Sequence, residues 1–71
     1  VDVGAKLEIY HIIYDLAERG VSFLVLSGEA QEVLKLCDRI YVMFHGEVRK
    51  ELLRNEADEE KIMIAATGGK V

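Results

Sequence analysis

Val21-Ser22-Phe23-Leu24-Val25-Leu26 is a short apolar run that stops at Ser27-Gly28-Glu29 and gives way to a helical pattern. Apolar residues fall on both alternating faces, with only Ser22 polar, which suits a strand covered on both sides, as in a parallel sheet flanked by helices. In such sheets, ligands bind at the turn that follows a strand. The run predicts an α/β fold and makes Ser27, Gly28 and Glu29 the first place to look for chemistry.

On the N-terminal side, Ile9, Ile12, Ile13 and Leu16 recur at helical spacing, while Lys6, Glu8, His11, Asp15, Glu18 and Arg19 fall mostly on the opposite face. This pattern predicts a helix capped by Asp2, ended by Gly20 and packed by one stripe against a sheet. On the C-terminal side, Ala30, Val33, Leu34 and Cys37 predict a short second helix, and Ile40–Phe44 a second strand. His45-Gly46 suits a two-residue turn needing positive φ at both positions, after which Glu47–Leu52 returns as a charged edge strand, giving a β-hairpin at 40–52. Asn55 or Asp58 can cap a last helix with Glu59 and Glu60 in its first turn; Thr67-Gly68-Gly69 ends it, and Lys70 and Val71 fray. The predicted order is helix, strand, helix, strand, strand, helix.

Seventy-one residues make at most one small domain, and a chain of that size buries only about 60% of its unfolded surface, so its core is marginal. A net charge of −4, with Arg49-Lys50 the only basic cluster, argues against binding nucleic acid or adsorbing to an anionic membrane. The single cysteine, Cys37, makes no internal disulfide and fits a reducing compartment. No apolar run approaches the length of a membrane span and no leader pattern opens the chain, so neither membrane insertion nor secretion is expected. The start at Val1, in mid-pattern and without an initiator Met, suggests a piece of a longer protein.

No catalytic constellation stands out. His11 and His45 are far apart and read as exposed polar residues, with His11 and Asp15 spaced to interact weakly. One Cys and two scattered His give no metal-ligand spacing, and the acidic group Glu56, Asp58, Glu59 and Glu60 reads as a helix-dipole complement. Cys37 reads as a small buried hydrophobe, and Asp38-Arg39 as a local ion pair at a corner. Thr67-Gly68-Gly69-Lys70 follows a helix instead of joining a strand to one, so it is no phosphate loop. Ser27-Gly28-Glu29 has two readings: a strand end whose free amides meet an anion, or an ordinary helix cap by Ser27, which the local pattern favours.

Taken together, Val1-Asp2-Val3-Gly4-Ala5-Lys6 with Glu8-Ile9-Tyr10, Ser27-Gly28-Glu29, Glu32-Val33-Leu34, Cys37-Asp38-Arg39-Ile40, Gly46-Glu47-Val48 and Ala66-Thr67-Gly68-Gly69 resemble one family in collinear order. The chain resembles the C-terminal end of the ATP-binding subunit of bacterial ABC importers for ribose, galactose, xylose and related sugars, in the second of two fused nucleotide-binding domains. The resemblance implies that residues 1–71 are an incomplete domain, part of a P-loop NTPase (ABC ATPase) core. Asp2 would then end the D-loop at the dimer interface, and Ser27, Gly28 and Glu29 would form the switch loop. Gly28 stands where the family usually places a His that contacts the γ-phosphate; the sugar class often lacks it, and hydrolysis at this half's own site is left open.

The resemblance further implies ATP and Mg²⁺ as cofactors of the full-length parent and none for the fragment, whose chain lacks the phosphate loop, signature sequence and catalytic Glu. Implied partners are the rest of the subunit, a second nucleotide-binding domain and membrane permease subunits, at the cytoplasmic face of the membrane. In the family a further strand separates those resembling Val21–Leu26 and Ile40–Phe44. The expectation for the isolated chain is that the two close up into a right-handed β-α-β crossover with the hairpin attached. Two rival functions remain on sequence alone: a free-standing α/β interaction or dimerisation module, and an anion-binding module working through the Gly28 turn.

Overall fold

β1 (Arg39–Phe44) and β2 (Glu47–Leu53) pair antiparallel through the turn His45-Gly46 in a computed structural model that describes residues 3–69. Both turn residues have positive φ, 51° at His45 and 78° at Gly46, as a two-residue turn must if its twist is to match that of the strands. The hairpin is the predicted one, extended by one residue at each end. Its register runs from Arg39 opposite Leu53 to Val42 opposite Lys50, then shifts so that Met43 faces Val48. Arg49 is the extra residue of this bulge. Its guanidinium lies 6.0 Å from the Phe44 ring centre and donates to the Gly68 carbonyl at 3.3 Å.

α3 (Glu59–Ala66) begins at Asp58, whose Oδ1 accepts from the Lys61 amide at 2.7 Å, so Asp58 and not Asn55 is the cap. It stops at Gly68, with the Gly69 amide bonded to the Ile64 carbonyl at 2.8 Å and the Gly68 amide to Ala65 at 3.1 Å. These are the two bonds of a Schellman ending, which Gly68 permits with φ of 85°. Ile40 and Val42 of β1 and Leu52 of β2 meet Ile62 and Ala65 of α3, and these five residues are the buried core. α2 (Ala30–Leu36) closes one side of it with Ala30, Val33 and Leu34, and Cys37 follows at its end.

α1 (Val3–Glu18) ends with the same device, the Val21 amide on Leu16 and the Gly20 amide on Ala17, each at 3.0 Å, around a Gly20 φ of 94°. Unlike α3 it buries no residue. Ile13 and Leu16 are half-buried, but Ile9 and Ile12 of the same stripe are exposed, because the sheet they were expected to cover does not extend beneath them.

The largest departure from expectation is Val21–Leu26, which forms no strand: the only sheet among the described residues is β1–β2, and the crossover is not made. The order is therefore helix, helix, strand, strand, helix. Leu24 is 90% and Leu26 88% exposed. A strand that is apolar on both faces needs a neighbour on each edge and a layer above and below to recover the cost of ordering it. Among the described residues no strand lies beside the run and no layer covers Leu24 or Leu26. Asp2, Lys70 and Val71, for which a cap and frayed ends were expected, lie outside the described residues.

Candidate functional site at the Ser27 turn

The turn between Leu26 and α2 brings Ser27, Gly28 and Glu29 together, but not as a Ser27-capped helix. Glu29 occupies the cap position, with φ −112° and ψ 118° and no side-chain cap bond. Ser27 instead accepts the Glu29 amide on its Oγ at 3.0 Å, closing the turn one step before the helix begins. A Cβ added at Gly28 would meet nothing within 4 Å, so the packing of this chain does not itself require glycine there.

Three polar contacts hold this turn and α2 against α1. Lys6 Nζ lies 3.5 Å from Glu29 Oε2, Tyr10 donates its hydroxyl to Glu32 Oε2 at 2.7 Å, and Tyr14 donates to the Lys35 carbonyl at 2.7 Å. Lys6, Tyr10 and Tyr14 are four apart, on one face of α1; Glu29, Glu32 and Lys35 are three apart, on one face of α2. The partners ascend together, so the two helices point the same way and the segment between them runs back. Sequence reasoning missed this ladder because it followed the isoleucines and gave the tyrosines no role. The only trace in the sequence is the four-residue spacing of Lys6, Tyr10 and Tyr14, since Lys35 takes part through its backbone carbonyl.

Electrostatics follow from these contacts. The Tyr10 hydroxyl is pushed up to about 12, first by its bond to Glu32, then by loss of hydration and the charges of Glu32 and Glu29. The Glu32 carboxyl is held below the usual glutamate range, first by the Tyr10 bond, then by the Ser27 hydroxyl, with the charge of Lys6 adding to both. The turn thus carries two carboxylates, Glu29 and Glu32, against one ammonium, Lys6. With the Glu29 amide already taken by Ser27, it is a poor cradle for a polyphosphate by itself.

The remaining candidates resolve into structural roles. Arg39 does not pair with Asp38; it crosses the hairpin to Glu51 at 3.8 Å and lies 5.6 Å from the Tyr41 ring centre, because a strand sends adjacent side chains to opposite faces. The Asp38 carbonyl accepts the Arg54 amide at 3.0 Å. Asp15 meets Arg19 at 3.8 Å, the partner one turn on. Glu56 Oε1 accepts the Leu53 amide at 2.9 Å and Asp58 caps α3, so the acidic group shapes the corner. Gln31 donates to Glu59, tying α2 to α3. Burial pushes the Cys37 thiol up, with the charge of Asp38 adding to the effect. Among the described residues no cluster of three metal-ligating side chains forms, and no helix is long and apolar enough to cross a membrane.

Comparison with known proteins gives a consistent result. The chain is 53% identical over 70 residues to a ribose import ATP-binding protein of Streptococcus agalactiae, covering 99% of the chain and 14% of that protein. It is likewise 53% identical over 70 residues to a xylose import ATP-binding protein of Geobacillus kaustophilus, covering 99% and 14%. A protein of Halalkalibacterium halodurans, provisionally named a ribose/galactose/methyl galactoside import ATP-binding protein, matches at 54% over 68 residues, 96% of the chain and 13% of the relative. The chain therefore spans 13–14% of the length of these curated relatives. No protein-family model matches the chain, and no solved structure does.

Proposed function

The chain belongs to the family of sugar-import ATP-binding proteins, and on that premise we propose that it is the C-terminal part of the second nucleotide-binding domain of an ABC importer's ATP-binding subunit. In the whole subunit, ATP hydrolysis with Mg²⁺ would drive sugar import at the cytoplasmic face of the membrane, through permease subunits and a second nucleotide-binding domain. These residues alone are expected to hold no ATP, which the acidic balance of the turn and the occupied Glu29 amide support. Ser27, Gly28 and Glu29 would instead flank a nucleotide whose phosphates are neutralised by elements outside these 71 residues. Asp2 would stand at the interface of the two nucleotide-binding domains.

The observation that carries this reading is the unbroken similarity over 99% of the chain to import ATP-binding proteins. The uncovered run Val21–Leu26 supports it physically: a segment apolar on both faces, with Leu24 90% exposed, has the composition of a central strand of a P-loop NTPase sheet awaiting its neighbours. The test is reconstitution. This chain, added to a sugar-import ATP-binding subunit lacking the matching segment, should bind it and restore ATP hydrolysis, whereas the chain alone should hydrolyse nothing.

The same exposed run suits a second reading, a self-associating module. Sedimentation of the chain alone, showing a tight dimer indifferent to the truncated subunit, would favour that reading over the first.

A further inference from the structure

We propose that Tyr10 is the positioning residue of the Ser27-Gly28-Glu29 turn, fixing it to α1 through the Glu32 carboxylate, with Lys6 as the second tether. The importance of that position for nucleotide rests on the function proposed above; the positioning itself is a property of this chain.

Two links run from one face of α1 toward the turn, one directly to Glu29 and one to Glu32 in the first turn of α2, whose carboxylate also meets the Ser27 hydroxyl. Tyr10 reaches Glu32 Oε2 at 2.7 Å, and Lys6, one helical turn earlier, reaches Glu29 Oε2 at 3.5 Å. Glu29 is itself the last residue of the turn and is bonded through its amide to Ser27 Oγ at 3.0 Å. A displacement of α1 along its axis would therefore act on the turn at both tethers. On its C-terminal side the turn is continuous with α2, where the Glu29 carbonyl accepts the Glu32 and Val33 amides and Ala30 packs on the core; on its N-terminal side Leu26 is 88% exposed, so the links to α1 are what orient it there. The two tethers also differ in strength. Lys6–Glu29 is a long, partly exposed ion pair, the kind that weakens with salt. The Tyr10 bond is short and made to an ionised acceptor, the stronger class of hydrogen bond. Tyr14, the next residue on the same face, binds the Lys35 carbonyl at the far end of α2 and so serves as an internal control.

The experiment is amide and carboxyl NMR of the chain carrying Tyr10→Phe or Tyr14→Phe, both of which keep the ring and remove the donor. Around Glu32 the charged and titratable groups to follow are Lys6, Tyr10, Glu29 and Cys37. Tyr10→Phe should raise the Glu32 titration midpoint toward the usual glutamate range and shift the Gly28 and Glu29 amides. Exchange of the Ile40, Val42 and Ala65 amides should stay as in the parent chain, which shows that the core is intact. Tyr14→Phe should shift Leu36 and leave Gly28 in place. The proposal is overturned if Glu32 responds to Tyr10→Phe while Gly28 and Glu29 do not, or if Tyr14→Phe moves the turn equally. Failure of reconstitution with the truncated subunit would defeat the functional reading alone and leave this result standing.

Discussion

Gly68 lies directly beneath the ring of Phe44: a Cβ on it would stand 2.8 Å from the ring's Cε2 and 2.9 Å from Cζ. The ring that ends β1 thus rests on the backbone that ends α3, and Arg49 from the bulge bonds the Gly68 carbonyl beside it. Alanine at 68 would meet both this contact and a φ of 85°. Gly20 has a φ of 94° with open space around it. We expect Gly20→Ala to cost about 1 kcal/mol from backbone strain alone, and Gly68→Ala about 1–3 kcal/mol more from overpacking. Urea titration followed by circular dichroism measures both, and equal losses would show that the Phe44 ring simply turns aside.

Asp58→Ala should destabilise the chain by about 1 kcal/mol, because the Lys61 amide loses the carboxylate that accepts it at 2.7 Å. Asn55→Ala, at the other candidate cap of the sequence, should change stability by less than about 0.5 kcal/mol, as for surface sites away from special features. The same denaturation assay separates them.

Leu52 is 2% exposed and Leu24 90%. Leu52→Ala should cost about 2–5 kcal/mol, enough to unfold a chain with so small a core. Leu24→Ser should leave the chain's own stability within about 0.5 kcal/mol, yet weaken its capture by the truncated subunit. If Leu24→Ser binds the subunit as well as the parent chain does, residues 21–26 are not the strand proposed.

Tyr10 and Glu32 shift in opposite directions and bound a pH window. Glu32, lowered in the fold, contributes stability above its unfolded value that is lost as pH falls through the lowered one. Tyr10, raised to about 12, contributes stability that is full below its unfolded value and is lost as pH rises through about 12. Docking of α1 on α2 should therefore weaken at both acidic and strongly alkaline pH. A phenolate absorbance titration should show a late-ionising component from Tyr10, which Tyr10→Phe should remove.

How much was legible in the sequence depended on how local the deciding interactions were. His45-Gly46 dictated its turn and Gly20 its helix end, and the last cap was narrowed to Asn55 or Asp58 and the last helix end to Thr67-Gly68-Gly69, since each rule acts within about five residues. Val21–Leu26 reads as a strand by composition, but pairing is a property of its neighbours, and among the described residues no strand lies beside it. Ser27 looked like a cap because its residue type caps well; it spends its oxygen on the Glu29 amide instead. Ser27, Gly28 and Glu29 do form a turn before α2, whereas its contacts with Lys6 and Tyr10 escaped notice because those residues lie some twenty positions upstream and carry no motif.

The five buried side chains all lie between Ile40 and Ala65, and the partly buried residues packed on them begin at Ala30. α1 contributes none of them; it is joined to α2 and the turn by the polar contacts of Lys6, Tyr10 and Tyr14, with Ile13 and Leu16 half-buried. Hydrogen exchange should therefore fall into two cooperative units, with residues 3–29 opening at low free energy while the hairpin and α3 stay closed up to global unfolding. In folding terms, residues 30–69 are expected to collapse first through contacts close in sequence, leaving the N-terminal helix and its bare apolar run open to capture by a sheet from outside them.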